Sequence, residues 1–581
     1  MKKLITAGAA MICMATAMNA ANETKTVELR IVETSDVHGS FFPYDFISRK
    51  QTEGTLCRVH TYVSRLRKEY GDRLLLLDNG DILQGQPSCY YSNYVASNRK
   101  NVASEVINYM GYDCVTMGNH DVETGHAVYD KWTREVRCPM LGANIIDRTT
   151  GRPYLQPYAV FVRDGVKIAV LGMLSPAIPN WLNESLWSGL QFQEMVECTR
   201  HWVEHIRRVE RADIVVGLFH SGLSGGISTT DYDENATAKV ASQVPGLDII
   251  FFGHDHIAHN DWIENEKGDS VLCLNPSCFA RNVAEATISL TYENGKLKEK
   301  HISGAVSSMA DEQVDRKMLS HFQPFIDDVK KYVERRIGYV DTTLNAHDCF
   351  FGSSPFTDLV HNMQLELSHA DISFAAPLTQ NGILKKGALH VADMFKLYRY
   401  ENRLCVLRLT GEEIRQHLEM SYDLWVNTMR APSDHIIKIK ENARESSSQY
   451  GFENPSFNFD SAAGIEYEVD VTKPDGEKVH VLRMSNGEPF DDHQEYRVVM
   501  NSYRANGGGE LLTRGAGIDK DSLQGRTVYE SPLDLRHYLM EVIERHGTIS
   551  PKANSNWRFI PEEWAVPALE RDRRLIFPSE P

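Results

Sequence analysis

The chain has 581 residues, of which 42% are hydrophobic and 24% charged, and its formal net charge is −17. This length exceeds what one hydrophobic core usually organises, so we expect two or three folded units. Because nucleic-acid affinity is mostly electrostatic, the acidic balance argues against a DNA or RNA polymer as partner. A small anionic substrate held by metal ions stays compatible with it, since local charge outweighs the global field at a metal site.

The first residues are typical of a secretory signal peptide. Two lysines precede an apolar stretch that ends near Met14, and an A-x-A pattern follows at residues 15–17. We therefore expect residues 1–21 to be removed and the protein to be exported to a periplasm, a cell envelope or the extracellular space. A retained N-terminal anchor is the alternative. The stretch is too short to span a bilayer, so no transmembrane segment is expected after cleavage.

Residues 28–305 alternate apolar, strand-like runs with helix-like stretches. Runs such as LRIVETSD and RLLLLDNGD have the β-branched or continuously apolar character of buried strands. Apolar residues recur at helical spacing within 56–66 and again within 102–110. Strands that alternate with helices predict an α/β layered domain.

Five of these strand-like runs end in side chains that can bind metals. In order along the chain they deliver Asp36 and His38, then Asp81, then Asn119 and His120, then His220, and finally His254 and His256. Ligands bind beyond the carboxyl ends of strands in open α/β sheets, so we expect these residues to converge at one edge. Residues two apart face the same side of an extended segment, which would turn both members of the 36/38 and 254/256 pairs toward one site.

The donor types indicate which metals the site takes. Imidazole, carboxylate and amide oxygen without thiolate suit borderline to hard divalent ions such as Zn, Mn, Fe, Co or Ni. Without His120 these residues make seven ligands, too many for one tetrahedral ion, so we expect two divalent metal ions that share a carboxylate. A single such histidine or aspartate is more often a core or turn residue, and it is the recurrence at five strand ends that predicts the site.

Residues 306–344 are predicted to form a linker built on an amphipathic helix over 311–337. Apolar residues recur there at helical spacing from Met318 to Val333, and Pro324 is expected to bend the helix. The helix either connects two domains or is the last helix of the first domain.

Residues 345–560 are predicted to form a second domain of mixed α/β type. Alternating residues on both sides of Pro474-Asp475-Gly476 predict a hairpin. The polar, serine-rich stretch 441–456 indicates a long surface loop, and residues 561–581 a C-terminal extension.

Short motifs give the chain a specific resemblance. D-V-H, GDILQG, GNHD, H-S-G and GHDH, in this order, resemble the calcineurin-like metallophosphoesterases. FNFD at 457–460 and NSYRANGGG at 501–509 resemble the secreted 5′-nucleotidases and the 2′,3′-cyclic-nucleotide phosphodiesterase/3′-nucleotidases. The resemblance spans nearly the whole mature chain. It implies a calcineurin-like β-sandwich flanked by helices, followed by a mixed α/β substrate-binding domain.

The resemblance also implies roles at the metal site. One ion would bind Asp36, His38, Asp81 and His256, and the other Asp81, Asn119, His220 and His254, so that Asp81 bridges. The metals would lower the pKa of water to supply a nucleophile and would neutralise the phosphoryl oxygens. His120 would stabilise the developing charge or protonate the leaving oxygen. Glu123 stands where 5′-nucleotidases carry the aspartate that orients this histidine.

The second domain is implied to bind the nucleoside of a nucleotide substrate. Phe457 and Tyr503 match positions where relatives hold the base between two aromatic rings. Asn506 shares the loop of Tyr503, and Asn402 lies in the segment YRYEN, which matches a segment near the nucleoside site. Gly509 replaces an aspartate that holds ribose hydroxyls in 5′-nucleotidases.

Three departures from the 5′-nucleotidase pattern bear on the substrate. Glu123 replaces aspartate, His256 replaces glutamine, and Gly509 replaces aspartate. They favour a 2′,3′-cyclic-nucleotide 2′-phosphodiesterase with 3′-nucleotidase activity over a 5′-nucleotidase or a sugar-nucleotide hydrolase. An inactive binding protein on the same scaffold is disfavoured, because all seven ligands and His120 are present.

Overall fold

The computed structural model describes residues 24–441 and 450–578. The predicted signal peptide at 1–21 and half of the predicted loop at 441–456, residues 442–449, therefore lie outside the described residues. Among the described helices, none combines the length and the apolar character that crossing a bilayer requires.

Two six-stranded sheets form the centre of the first domain. The first sheet has the order Lys296–Ser308, Asn282–Glu293, Thr24–Thr34, Leu74–Asp78, Cys114–Thr116 and Met140–Leu141. The second has the order Ala258–Glu264, Ser270–Pro276, Ile249–Phe252, Ile214–His220, Val166–Leu174 and Tyr158–Arg163. In the first sheet the four strands from Thr24–Thr34 to Met140–Leu141 pair in parallel, and the other two join them in antiparallel fashion. In the second sheet the four central strands are parallel and the two edge strands antiparallel.

The two sheets pack face to face. Leu29 and Ile31 of the first sheet share one buried cluster with Val170, Leu218 and Phe251 of the second. Burying side chains of this kind contributes about 1.5–3 kcal/mol each. The predicted α/β layered domain is thus a β-sandwich, as the resemblance implied.

Helices cover both outer faces of the sandwich. The helices Leu56–Tyr70, Val102–Met110 and His126–Glu135 contribute buried residues to the cluster on the first sheet, and Met195–His205 and Thr237–Gln243 to the cluster on the second. Side-chain caps begin three of them, since Thr55 accepts from the backbone of Cys57, Asn101 from that of Ala103, and Glu194 from that of Val196 and Glu197.

The predicted amphipathic helix over 311–337 spans Arg316–Val333. Asp315 caps it by accepting from two backbone N–H groups, and Pro324 lies inside it. Its buried residues, among them Met318 and Val333, belong to the first domain's core cluster. Of the two alternatives, the packing therefore favours the last helix of the first domain.

A five-stranded sheet forms the centre of the second domain. Its order is Ser461–Ala463, Ile372–Ala375, Glu495–Asn501, Arg403–Thr410 and Thr527–Asp534. Its principal helices are Pro355–Ser368, Val391–Leu397, Gly411–Trp425, Leu535–His546 and Glu562–Ile576. Smaller sheets join Gly387–His390, Arg336–Val340 and Thr548–Ile549, and Val479–Met484, Ile465–Asp470 and Trp557–Ile560.

The structure bears on two predictions for this domain, the hairpin and the C-terminal extension. The predicted hairpin forms, because Ile465–Asp470 pairs antiparallel with Val479–Met484 around Pro474-Asp475-Gly476. Residues 561–581, predicted as an extension, contain the helix Glu562–Ile576, whose Ala565, Ala568 and Ile576 lie in the domain's main core cluster. This helix is therefore packed into the second domain.

Candidate metal site and adjoining cavity

The ends of five strands bring the predicted metal-binding residues together. Three of these strands belong to the first sheet and two to the second. The site therefore lies where the carboxyl ends of strands from both sheets meet, and not at the edge of one sheet. The residues in mutual contact are Asp36, His38, Asp81, Asn119, His220, His254 and His256.

Five of these seven residues adopt left-handed backbone conformations. The φ angles are 50° at Asp36, 47° at His38, 56° at Asp81, 75° at His254 and 58° at His256. The expectation that alternation along an extended segment aims these pairs is therefore wrong. The backbone turns at each residue instead, at a cost of about 1–2 kcal/mol for a side chain other than glycine.

The hydrogen bonds around His220 define where its free nitrogen points. Its Nδ1 lies 2.7 Å from the carbonyl oxygen of Asn79, which can only accept, so Nδ1 carries a proton and Nε2 is the nitrogen that a metal ion could bind. That Nε2 lies 3.1 Å from Asn119 Oδ1 and 3.2 Å from Asp81 Oδ2. His254 Nδ1 lies 2.8 Å from the same amide oxygen. Several acceptor atoms thus face one point, an arrangement that a bound cation would satisfy.

A second group of acceptors lies beside the first. His38 Nδ1 lies 3.1 Å from the carbonyl oxygen of Gln84, which leaves its Nε2 facing His256 Nε2 at 3.2 Å and Asp81 Oδ2 at 3.9 Å. His256 Nε2 lies 3.3 Å from Asp36 Oδ1. Burial lowers the pKa of His38 to about 3, so this imidazole is neutral at ordinary pH.

These contacts form two clusters that could each hold a metal ion. One comprises Asp36, His38 and His256, and the other Asp36, Asp81 and His220. Asp36 belongs to both, whereas the resemblance implied that Asp81 is the bridging residue. Asp81 Oδ2 nevertheless lies between His38 and His220, so it can also reach both clusters. The donors are nitrogen and oxygen atoms, which fits two borderline divalent ions.

A buried aspartate that the motif analysis did not single out holds the metal loops in place. The carboxylate of Asp121 accepts from the backbone N–H groups of Gly118, Asp81, Ile82 and Leu83, at 2.8–2.9 Å. It thereby joins the loop after the strand Leu74–Asp78 to the loop after the strand Cys114–Thr116. Its position inside GNHD is the only signal in the sequence.

His120 and Glu123 form a hydrogen-bonded pair at the edge of the site. His120 Nδ1 lies 2.6 Å from Glu123 Oε2, and the ring of Tyr400 lies parallel to the imidazole at 6.3 Å. Burial alone would lower the pKa of His120, but the Asp81 charge and the Glu123 hydrogen bond outweigh it and raise the pKa to about 9. The glutamate therefore reaches the histidine despite replacing an aspartate.

A cavity of about 370 Å³ joins this site to the second domain. It is lined by residues of both domains: Asp81, Asn119, His120, Glu123, Trp181, Leu182, Glu234, His254, His256, Leu378, Tyr400, Asn402, Phe457, Asn501 and Tyr503. Of the four residues predicted to contact the nucleoside, Asn402, Phe457 and Tyr503 line it. Asn506 does not, because its side-chain amide donates to the carbonyl of Ser502 instead.

The two aromatic rings do not form a parallel slot. Phe457 and Tyr503 meet edge to face, with centroids 6.1 Å apart and planes at 90°. Tyr503 packs against Gly508, whose Cα leaves no room for a side chain. One of the two rings must turn or shift before a base can lie between them.

Arg504, a residue that the sequence did not point out, holds the two aromatic loops together. Its guanidinium makes two bonds to the Asp460 carboxylate, at 2.8 and 3.1 Å. It also donates to the carbonyl of Phe457 at 2.8 Å and to that of Gly508. The arginine is 2% exposed, so this ion pair is buried.

Gly509 occupies a position that has no space for a side chain. Its φ is 69°, and a Cβ there would clash with Asn458 Oδ1 and with the Arg504 guanidinium. The neighbouring residues therefore exclude an aspartate side chain at this position, so restoring that aspartate would require more than one substitution.

Two family models match the chain in the order in which the domains occur. Residues 29–258 match calcineurin-like phosphoesterase, and residues 336–514 match the 5′-nucleotidase C-terminal domain. The matches place the metal-site residues in the first model and the aromatic pair in the second.

Individual relatives agree with both matches. The trifunctional nucleotide phosphoesterase protein YfkN of Bacillus subtilis is 26% identical over 92% of this chain, which spans only 39% of that longer relative. The 2′,3′-cyclic-nucleotide 2′-phosphodiesterase/3′-nucleotidase of Haemophilus influenzae is 26% identical over 92% of this chain and 88% of its own length. The solved 5′-nucleotidase precursor of Thermus thermophilus shares the fold, with a TM-score of 0.64, 19% identity, and coverage of 92% of this chain and 100% of that one.

Proposed function

Because the chain belongs to the calcineurin-like phosphoesterases that carry a 5′-nucleotidase C-terminal domain, it is a metal-dependent hydrolase of nucleotide phosphoesters, and we propose that it acts on 2′,3′-cyclic nucleotides and 3′-nucleotides. The observation that carries the proposal is the cavity shared by the two domains. It has the residues that could hold metals at one end and Phe457 and Tyr503 at the other. A volume of about 370 Å³ falls within the usual range for small-molecule sites.

The charges at the metal end explain why metals are needed. Asp81, Glu123 and Glu234 line the cavity where a phosphate would lie, and no lysine or arginine is among the described residues that line it. An anionic phosphoryl group would be repelled by these carboxylates. Bound divalent ions would offset that repulsion, activate water and polarise the phosphoryl oxygens. We assign the seven strand-end residues as their ligands, with two ions per chain.

His120 is proposed to act on the leaving oxygen. Its Nδ1 is engaged by Glu123, so Nε2 is the nitrogen available to the substrate. The Glu123 carboxylate favours the protonated imidazole, which suits it to stabilise negative charge or to donate a proton. Glu123 keeps the ring oriented.

The second domain is proposed to hold the nucleoside. A base stacked on Phe457 or Tyr503 would be held by contacts that every base can make, so broad base tolerance is expected. Asn402 is 7% exposed and lines the cavity, which supports a contact between its amide and the sugar or the base.

The preference for cyclic and 3′-nucleotides rests on three positions. Glu123 and His256 depart from the 5′-nucleotidase pattern, and Gly509 lacks the aspartate that holds ribose in those enzymes. The crowding around Gly509 supports this interpretation, since the surrounding loop leaves no room for that aspartate.

One comparison of substrates tests the proposal. We expect kcat/KM for 2′,3′-cyclic AMP and 3′-AMP to exceed that for 5′-AMP when all are measured with the same metal. A preference for 5′-AMP would overturn the substrate assignment. Fewer than one bound ion per chain, with no hydrolysis of an aryl phosphate, would instead support an inactive binding protein.

We also propose that the protein is exported after removal of its first residues. The N-terminal pattern of two lysines, an apolar stretch and A-x-A supports this. Mass spectrometry of the protein from its host should find a mature N-terminus just after one of the residues 17–21. An intact Met1 on the mature protein would contradict export by this route.

A further inference from the structure

We propose that Glu234 is a positioning residue that fixes the protonation of His254, so that the imidazole presents Nδ1 to a metal ion. Glu234 lies in the segment between the strand Ile214–His220 and the helix Thr237–Gln243. The inference rests on the proposed assignment of His254 as a metal ligand. It adds a residue that binds no metal itself but decides which nitrogen of the ligand is free.

The Glu234 carboxylate is held on both of its oxygens. Oε1 lies 3.0 Å from His254 Nε2, and Oε2 accepts from the backbone N–H of Ile227 at 2.7 Å. Gly226 lies so close that a Cβ there would be 2.5 Å from Oε2. The Glu234 side chain is 14% exposed. The carboxylate therefore has one orientation, and that orientation is directed at the histidine.

The backbone of Glu234 is fixed as well. Its carbonyl oxygen accepts from the hydroxyls of Ser175 and Ser221, each at 2.9 Å. Ser221 directly follows His220, so the same hydroxyl ties Glu234 to the strand that carries another predicted ligand. The position of the glutamate is thus coupled to the metal site through main chain as well as side chain.

A carboxylate can only accept hydrogen bonds, and this decides the state of the imidazole. His254 Nε2 must carry the proton that Glu234 accepts, which leaves the lone pair on Nδ1. That Nδ1 lies 2.8 Å from Asn119 Oδ1, at the acceptor group described above. Partners of this kind typically orient metal-binding histidines.

Glu234 does for His254 what backbone carbonyls do for two other histidines. His220 donates to the carbonyl of Asn79, and His38 to that of Gln84. Those acceptors cannot be removed by substitution, whereas Glu234 can. This makes His254 the histidine at which the protonation state can be tested.

Two substitutions separate a positioning role from simple packing. In Glu234→Gln the amide oxygen is needed to accept from Ile227, so the NH₂ group faces His254 Nε2 and forces the proton onto Nδ1. Glu234→Ala removes the acceptor but imposes no donor. We therefore expect Glu234→Gln to weaken binding of one metal ion by about 10–100-fold, and Glu234→Ala to weaken it less. A residue that only holds the loop would give the opposite order, because glutamine preserves more contacts than alanine.

The readouts do not depend on catalysis. Zn²⁺ affinity of the full chain is measured by competition with a chelator, and ¹⁵N NMR of labelled histidine reports which nitrogen of His254 is protonated. We expect Nε2–H in the wild type and Nδ1–H in Glu234→Gln. Thermal unfolding of each metal-free variant checks that it folds. Asp231→Asn, an exposed change in the same segment, is the matched control and should bind Zn²⁺ like the wild type.

Each outcome decides between the alternatives. Wild-type Zn²⁺ affinity in Glu234→Gln, or a loss in Glu234→Ala that equals or exceeds it, would overturn the positioning role. His254→Ala must weaken Zn²⁺ binding under the same conditions. If it does not, the ligand assignment itself is wrong, and that failure is distinct from a failure of the Glu234 proposal.

Discussion

The two ends of the shared cavity are held in place by different means. At the metal end, side chains are aimed by backbone turns, and the loops are tied by main-chain hydrogen bonds to Asp121. At the aromatic end, one buried guanidinium, that of Arg504, links the two loops that carry the rings. The two ends should therefore respond differently to substitution. Substitutions at the metal end should change catalysis, and substitutions at the aromatic end should change substrate binding and stability.

The largest effect should come from His120→Ala, which removes the group at the leaving oxygen. We expect kcat for 2′,3′-cyclic AMP to fall by about 10²–10⁴-fold. Glu123→Gln should cost far less, because glutamine can still accept from Nδ1. Metal content, measured in parallel, should not change. Equal losses would show that the two residues act as one unit, and an unchanged kcat in His120→Ala would remove the histidine from the mechanism.

Arg504→Met should damage the aromatic end and spare the metal end. Leaving the buried Asp460 carboxylate without the guanidinium, with His417 as its remaining side-chain partner, is expected to destabilise the protein by about 3–5 kcal/mol. Tm should fall and KM for nucleotides should rise, while Zn²⁺ affinity stays the same. Arg514→Met is the matched control, since Arg514 is exposed and its ion pair with Glu510 lies on the surface. A similar fall in Tm for both variants would contradict the role of the buried pair.

Phe457→Ala and Tyr503→Ala should weaken binding without slowing the chemistry. A base stack is worth about 1–3 kcal/mol, so KM for nucleotides should rise by about 5- to 150-fold. Hydrolysis of an aryl phosphate, which has no base, provides the internal control and should be unchanged. If both substrates lose activity together, the rings support the metal end after all.

Gly509→Asp tests whether the missing aspartate can simply be restored. We expect a loss of stability with no shift toward 5′-AMP, because a left-handed position costs about 1–2 kcal/mol and the side chain would also clash. Gly517→Asp is a matched control with the same φ of 69° but open space around it. A Tm for Gly509→Asp as high as that of the control would show that the crowding is relieved.

The smallest effect concerns acid stability of the second domain. His361 is fully buried between the hydroxyls of Ser373 and Ser461, and burial lowers its pKa. Below about pH 6.5 the unfolded chain binds a proton at His361 more readily than the folded chain does. The free energy of unfolding that this histidine contributes is therefore present above that pH and is lost as the pH falls. His361→Gln should reduce the fall in Tm between pH 7.5 and pH 5.5. An unchanged pH dependence would assign the acid sensitivity to other groups.

Much of the metal end could be predicted from sequence because its chemistry resides in residue types. Apolar runs predict the strands, and a histidine or aspartate that follows such a run can be identified directly in the sequence. The left-handed turns at Asp36 or His254 were not visible, since non-glycine residues rarely adopt them. Glu234 and Asp121 were also missed, because what they contact, a histidine ring or distant backbone N–H groups, is set by the folded loops.

The aromatic end was predicted less completely. Phe457 and Tyr503 were named through the resemblance, but their edge-to-face contact depends on how Gly508 and Arg504 place the loop. Asn506 is predicted in the site only because it shares the loop of Tyr503, but its side-chain amide donates to the carbonyl of Ser502. The sequence does not distinguish the helix Glu562–Ile576 from a terminal extension, although its apolar residues pack into the core of the second domain.

The left-handed conformations at five of the proposed ligands have a consequence for how this protein can evolve. Glycine would relax the backbone at each of those five positions, so a change such as His254→Gly could raise the stability of the metal-free fold while removing a ligand. Selection for stability alone would therefore erode the site one position at a time. The persistence of side chains there would be a record of selection for activity, and a search for stabilised variants should exclude those positions from the start.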